Sequence, residues 1–122
     1  MSKLLRTTFL VHAVVAVVLG VALLAAPGRW LGLFGWAPVD PLISRLLGAA
    51  LLGLAWGSIR CFRASERKEV AVLMEVNAAF CVLGCAGILR QIWGYDYPYY
   101  VWILLVILAA FAVLWVIELI RR

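Results

Sequence analysis

The chain has few charged residues and few of the residue types that build catalytic or metal sites. Charged residues make up 14% of the 122 residues, against about 25% in an ordinary soluble domain. There is one histidine, and the three cysteines form neither a CxxC pair nor the even set that a secreted disulfide framework needs. We therefore predict no catalytic residue, no metal site, no disulfide framework and no resident cofactor.

Apolar residues account for 67% of the chain, above the roughly 45–50% of soluble domains. They fall into four runs of about 20 residues, the length that crosses the hydrocarbon core of a bilayer. The sequence predicts an all-α polytopic membrane protein, a four-helix transmembrane bundle that forms a single domain over residues 1–122. The predicted helices cover residues 3–25, 41–61, 66–93 and 98–119.

Capping residues mark the starts of three of these helices. Ser2, Asp40 and Ser65 precede apolar runs, and their side chains can accept hydrogen bonds from free N–H groups of a first helical turn. Pro41 follows Asp40, at a position where a missing N–H costs nothing. The short loop near Gly94 predicts that the third and fourth helices are antiparallel neighbours.

The first run and the segment after it need separate treatment. Lys3 and Arg6 precede the run as they would in a signal peptide, but the run is about twice as long as the usual signal-peptide core, so we predict a spanning helix. Segment 28–36 is rich in Trp, Leu and Phe. It is too short to span and too apolar for water, which predicts a short interfacial helix.

The positive charge indicates an orientation and not a nucleic-acid partner. The formal net charge is +5, but the Lys and Arg residues lie at helix ends and in loops, where lipid phosphates and the positive-inside bias account for them. Eight of the 11 fall on the side of the termini and the middle loop. Both termini are therefore predicted to be cytoplasmic, with most Trp and Tyr residues at the opposite interface.

A stripe of small residues runs along the second helix at steps of four. It consists of Ala49, Gly53 and Gly57, with Arg45 at its start. Small residues at this spacing let helix backbones approach closely in lipid. The stripe predicts helix packing, either against another helix of the same chain or in a homo-oligomer.

Polar residues inside the runs are the candidates for binding. His12, Glu75 and Asn77 are predicted to lie at similar depths, roughly 8–10 Å inside the cytoplasmic boundary at about 1.5 Å per residue. Ionisable groups in spanning segments are costly and often functional, so this polar layer is a candidate site for a lipid or quinone. His12 could instead be an axial ligand to a chlorin or simply a packing residue, and Glu75 could pair with basic residues near the interface.

A second polar pair is predicted at the outer side. Arg45 enters the membrane from the side opposite to Glu75, so the distance between them is too great for an ion pair. Asp96, in the short loop before the fourth helix, is the expected partner of Arg45.

The first half of the chain resembles a known family. It contains Gly20, then APGRWLGLFGW from Ala26 to Trp36, then RLLGAALLGL from Arg45 to Leu54. These segments are similar to those of the small DoxX-like membrane proteins of bacteria. The resemblance implies a four-helix bundle in the bacterial inner membrane, and it implies no catalytic residue.

Two functions are compatible with these features. The first is a non-enzymatic membrane protein, an accessory subunit of a larger complex or a scaffold, that acts through helix packing and contact with membrane lipids. The second is a small carrier or binder of an apolar molecule, a quinone or a lipid, that uses the polar layer. A pocket beside that layer would favour the binder.

Overall fold

The computed structural model describes residues 2–26, 29, 40–94, 97 and 100–121. These residues form four long α-helices: α1, Lys3–Ala25; α2, Pro41–Phe62; α3, Arg67–Ile92; and α4, Tyr100–Ile120. Each contains a stretch long and apolar enough to cross a membrane. The prediction of an all-α membrane protein with four such helices is confirmed. Except for Arg29, the predicted interfacial segment 28–36 lies outside the described residues.

Hydrogen bonds at the helix starts explain where the helices begin. The Ser2 Oγ accepts the N–H of Leu5 at 3.1 Å, as predicted. Asp40 is also the predicted cap, and its carboxylate accepts the N–H groups of the second and third residues of α2 at 2.9 and 3.2 Å. The cap of α3 is Glu66, not Ser65. The Glu66 N–H donates to the Glu69 carboxylate at 3.1 Å, which is one half of a capping box.

The helices pair into two compact units. The first hairpin, Ser2–Arg63, contains α1 and α2, and the second hairpin, Ala64–Arg122, contains α3 and α4. Within each hairpin the start of one helix lies beside the end of the other, which confirms that α3 and α4 are antiparallel neighbours. The prediction of one four-helix bundle concerns the packing of one hairpin on the other, and it stays a prediction.

The first hairpin is closed by a contact between two helix backbones. A Cβ atom built on Gly48 would lie 2.7 Å from the carbonyl oxygen of Gly20 and 2.7 Å from the backbone nitrogen of Leu24. A Cβ on Gly20 would meet the Gly48 carbonyl oxygen at 3.0 Å. Only glycine fits on either side, so these two residues fix the closest approach of α1 and α2.

This contact does not run along the predicted stripe. Ala49 and Gly53 are exposed, and a Cβ built on Gly53 meets no described atom within 4 Å. The buried residues of α2 include Gly48, Ala55 and Ser58 instead. Successive residues of an α-helix are about 100° apart, so Gly48 and Ala49 lie on different sides of α2. The contact between α1 and α2 therefore does not use the stripe, whose packing against the second hairpin or another chain stays a prediction.

The second hairpin buries larger side chains. The buried residues of α3 recur at intervals of three and four, the spacing of helices that pack at a small crossing angle. They are Val70, Met74, Asn77, Ala78 and Cys81. In α4 the same spacing relates Phe111, Trp115 and Glu118, and Trp115 has no exposed surface. The last of these positions places a carboxylate where an apolar residue would be expected.

Candidate functional site

The buried carboxylate of Glu118 lies where α4 ends beside the start of α3. Its side chain is 1% exposed, and its oxygens are 3.3 Å from Nη1 of Arg67 and 3.7 Å from Nη1 of Arg121. The Arg67 guanidinium also donates from Nη2 to the backbone carbonyl of Glu118. Arg67 therefore neutralises a buried charge and satisfies a carbonyl of the last helical turn, which has no partner within its own helix.

The charge of Arg67 lies near the ends of two helix dipoles. As the first residue of α3, Arg67 places a positive charge at a helix N-terminus, where the dipole disfavours it, but its guanidinium reaches the C-terminus of α4, where a cation is favoured. Breaking a buried ion pair costs about 3–5 kcal/mol, since the remaining charge has no partner. The Arg67–Glu118 pair therefore joins the two helices at this end of the hairpin.

A groove lies beside this ion pair. It has a volume of about 420 Å³, which falls within the roughly 300–1,000 Å³ of small-molecule sites. Three charged and three apolar residues line it: Arg67, Lys68, Ala71, Met74, Glu75 and Leu119. All six belong to the second hairpin. The groove begins at the charged start of α3 and continues into the span that starts at Ala71, so it crosses the boundary between polar and apolar surroundings.

Glu75 is the predicted binding residue that the structure places in this groove. It is exposed and lies one helical turn inside the span that begins at Ala71. The Cα–Cβ bonds of a helix tilt toward its N-terminus, so the side chain of Glu75 starts from the backbone toward the charged end. No described residue forms an ion pair with it, whereas Lys68 pairs with Glu66 at 3.1 Å and Arg67 with Glu118.

His12 has a different environment, in the interior of the first hairpin. It is 5% exposed, and its Nδ1 lies 2.8 Å from the Oγ of Ser58, which has no exposed surface. Nearby in α1, the Thr8 hydroxyl donates to the carbonyl of Leu4 at 2.8 Å. The His12–Ser58 hydrogen bond joins α1 to α2 and gives each of these buried side chains a polar partner. This contact is typical of a residue that packs two helices together.

Asn77 is buried in the second hairpin without a described partner. Its side chain has no exposed surface, and neither its amide nitrogen nor its oxygen has a hydrogen-bond partner among the described residues. Asn77 follows Glu75 by two residues, so the two project from α3 about 200° apart. The helix therefore buries Asn77 and exposes Glu75, and the two do not share a face.

The remaining predicted pairs stay predictions. His12 belongs to the first hairpin and Glu75 to the second, and His12 has Ser58 as its described hydrogen-bond partner. Arg45 is exposed, and Asp96, its predicted partner, lies outside the described residues.

The sequence analysis did not identify Glu118 or Ser58. Glu118 could have been found, because it is the single acidic residue in the otherwise apolar α4 and an isolated acid in a spanning helix needs a cation. Ser58 could have been found by pairing α1 and α2 as antiparallel neighbours and asking which polar residue lies at the depth of His12.

Comparison of the chain with protein-family models, with curated proteins and with solved structures gives no match. The resemblance to the DoxX-like membrane proteins stays a prediction.

Proposed function

We propose that this chain is a non-enzymatic integral membrane protein that serves as an accessory subunit or scaffold, through helix packing and contact with lipids. Its proposed location is the bacterial inner membrane, which follows from the DoxX-like resemblance, with both termini cytoplasmic as the distribution of Lys and Arg favours. In this proposal segment 28–36 lies at headgroup level on the outer side.

The observation that carries the proposal is how little of each span is covered within its own hairpin. Between 17 and 33% of the most apolar stretch of each helix is buried. Large apolar side chains point outward along the described helices, among them Trp56 at 66% and Leu83 at 70% exposure. Faces of this kind are covered by lipid, by the other hairpin or by the helices of a partner, and we propose a partner.

The buried polar groups support the same conclusion. His12 and Ser58 bind each other, and Glu118 is held by Arg67. In both cases one helix of a hairpin is joined to the other. Such contacts stabilise a packed hairpin, and they present no reactive atom to a substrate.

Native mass spectrometry of the protein extracted from its own membrane with a polymer tests this role. A subunit is expected to leave the membrane in a particle of fixed stoichiometry, with a mass above the 13.5 kDa of one chain. Trp56→Ala and Leu83→Ala remove outward apolar side chains, and at least one is expected to reduce that particle without lowering the thermal midpoint. Recovery of single chains with lipid alone would contradict the proposal.

A second function is favoured by the groove. Its lining combines charged residues with the partly exposed apolar side chains of Ala71 and Leu119, which suits a molecule with a polar head and an apolar tail. We therefore keep the binding of a lipid or quinone as the second proposed function. Solvent extraction of the purified protein, followed by mass spectrometry, should release about one such molecule per chain, and its absence would remove this function.

A further inference from the structure

Two of the three charged residues that line the groove form ion pairs with acidic residues of the same hairpin. Arg67 is paired with Glu118, and Lys68 with Glu66. Glu75 also lines the groove, and no described cation pairs with it. A carboxylate within a membrane-spanning segment is costly unless a positive group lies next to it. A ligand that places a positive group beside Glu75 would therefore match the charges of the groove.

The same occupant meets two cations at the other end of the groove. Lys68 is 84% exposed and forms its ion pair at the surface, where such pairs are weak and easily exchanged. An anionic group can take the place of Glu66 at Lys68, and a phosphate suits Lys and Arg donors. A ligand with one negative and one positive group matches this lining better than a ligand with net negative charge, which would leave Glu75 unpaired and repel it.

The kind of positive group follows from the lining as well. A quaternary ammonium has no N–H to donate and is typically held by aromatic rings. No aromatic ring lies among the described lining residues. A primary ammonium can donate hydrogen bonds to a carboxylate, and these charge-assisted bonds are among the stronger ones in proteins. The lining favours a primary ammonium over a choline group.

The apolar residues decide between a lipid and a free headgroup. Ala71 is the first residue of the span of α3, and Met74 lies one turn further along. Met74 is 1% exposed, so the apolar surface left to a ligand in the groove is that of Ala71 and of Leu119 of α4, which are partly exposed. A water-soluble phosphate ester would leave this surface uncovered, whereas the glycerol and acyl chains of a lipid would cover it.

We infer that the groove is a binding site for a phospholipid with a primary amine, such as phosphatidylethanolamine, with its phosphate at Lys68 and Arg67 and its ammonium at Glu75. This inference rests on the second proposed function, lipid or quinone binding, and names the class of lipid and the residue that selects it. Glu75 is the specificity-determining residue.

Native mass spectrometry from nanodiscs tests the site. The discs contain equal amounts of phosphatidylethanolamine, phosphatidylcholine and phosphatidylglycerol with identical acyl chains. The wild-type protein is expected to retain the ethanolamine lipid about tenfold over the choline lipid, the ratio given by about 1.4 kcal/mol from a charge-assisted hydrogen bond. Equal retention of these two lipids, or a preference for phosphatidylglycerol, would overturn the inference.

Three variants separate the parts of the site. Glu75→Gln is expected to lower the ethanolamine to choline ratio to about one without reducing the choline lipid. Lys68→Gln is expected to reduce both lipids together, because both carry the phosphate. Ala71→Leu fills the groove and should reduce all three lipids. Arg90→Gln removes an exposed charge of α3 outside the groove and is the control that should change none of these values.

The other possible results of these experiments either contradict this inference or contradict the second proposed function. An ethanolamine preference that survives Glu75→Gln, in a variant with wild-type helicity and thermal midpoint, would overturn the assignment of Glu75. Displacement of the lipid by millimolar glycerophosphoethanolamine would show a headgroup site and contradict a lipid site. If solvent extraction yields no lipid or quinone at all, the second proposed function itself fails. If it yields a quinone, or lipids without preference, that function stands and this inference fails.

Discussion

The two hairpins are closed by different means. In the first, α1 and α2 touch at Gly20 and Gly48, where a Cβ atom would lie within about 3 Å of the opposite backbone. In the second, large side chains such as Trp115 fill the interior, and an ion pair between Arg67 and Glu118 joins the helices at one end. The first contact requires residues without a side chain, whereas the second requires the charged side chains of Arg67 and Glu118.

This difference follows from the membrane as a solvent. Lipid tails are as apolar as leucine, so burial of apolar surface does little to hold two spanning helices together. Van der Waals packing, polar contacts between helices and the entropy of the lipids are the remaining sources of attraction. The first hairpin relies mainly on close approach, with the His12–Ser58 hydrogen bond in addition. The second uses a charged contact at its end, and the groove lies beside that contact.

The largest expected effect is the loss of the ion pair in the second hairpin. Arg67→Met removes the cation 3.3 Å from the buried Glu118 carboxylate. We expect the free energy of unfolding to fall by about 3 kcal/mol, the lower end of the range for broken buried pairs because the Arg67 side chain is 35% exposed. Denaturation in mixed detergent with increasing SDS measures this change.

The control for this prediction removes both charges. Arg67→Met combined with Glu118→Met leaves no unpaired buried charge, so most of the lost stability is expected to return. A double variant as unstable as Arg67→Met would show that the guanidinium contributes through its contact with the Glu118 carbonyl and not through charge.

The contact of the first hairpin is expected to give the next largest effect. Gly48→Leu places a side chain where the backbone of α1 lies, and overpacking of this kind costs about 1–3 kcal/mol. Gly53→Leu is the matched control on the same helix, since a Cβ there meets no described atom within 4 Å. A thermal midpoint lowered by Gly53→Leu and unchanged by Gly48→Leu would place the helix contact on the predicted stripe.

The smallest expected effect concerns the hydrogen bond between α1 and α2. A double-mutant cycle of His12→Ala and Ser58→Ala should give a coupling energy of about 0.6 kcal/mol, the average for such bonds between membrane helices. Thr8→Ala with Ser58→Ala is the control, because Thr8 bonds to its own helix, and these two changes should add. Additive effects of His12→Ala and Ser58→Ala would mean that the bond contributes nothing to stability.

The sequence predicted the helices far better than their contacts. Composition and run length were sufficient for four spans, because a bilayer demands about 20 apolar residues from each, and Ser2 and Asp40 marked two helix starts correctly. The steps of four from Ala49 to Gly57 did not identify the residues at which α2 contacts α1, since small residues on different faces look alike in an apolar helix. Gly48 could be recognised only once Gly20 lay beside it.

The candidate site was only partly predictable for a similar reason. Glu75 was identified because an acid in a spanning segment is conspicuous, but its exposure depends on which side of α3 packs against α4. Asn77 was grouped with it by depth alone, and the structure separates them by face. The groove itself depends on Leu119 of α4, and no pattern within α3 indicates which residue of another helix completes it.

The central claim is that each hairpin consists of two membrane-crossing helices, and labelling of single cysteines tests it most directly. In a variant without Cys61, Cys81 and Cys85, a cysteine is placed by Ser65→Cys before α3 or by Gly94→Cys after it, both at exposed positions. An impermeant thiol reagent should label the first from the cytoplasmic side and the second from the opposite side. Labelling of both from the same side would contradict a crossing by α3 and, with it, the four-span architecture.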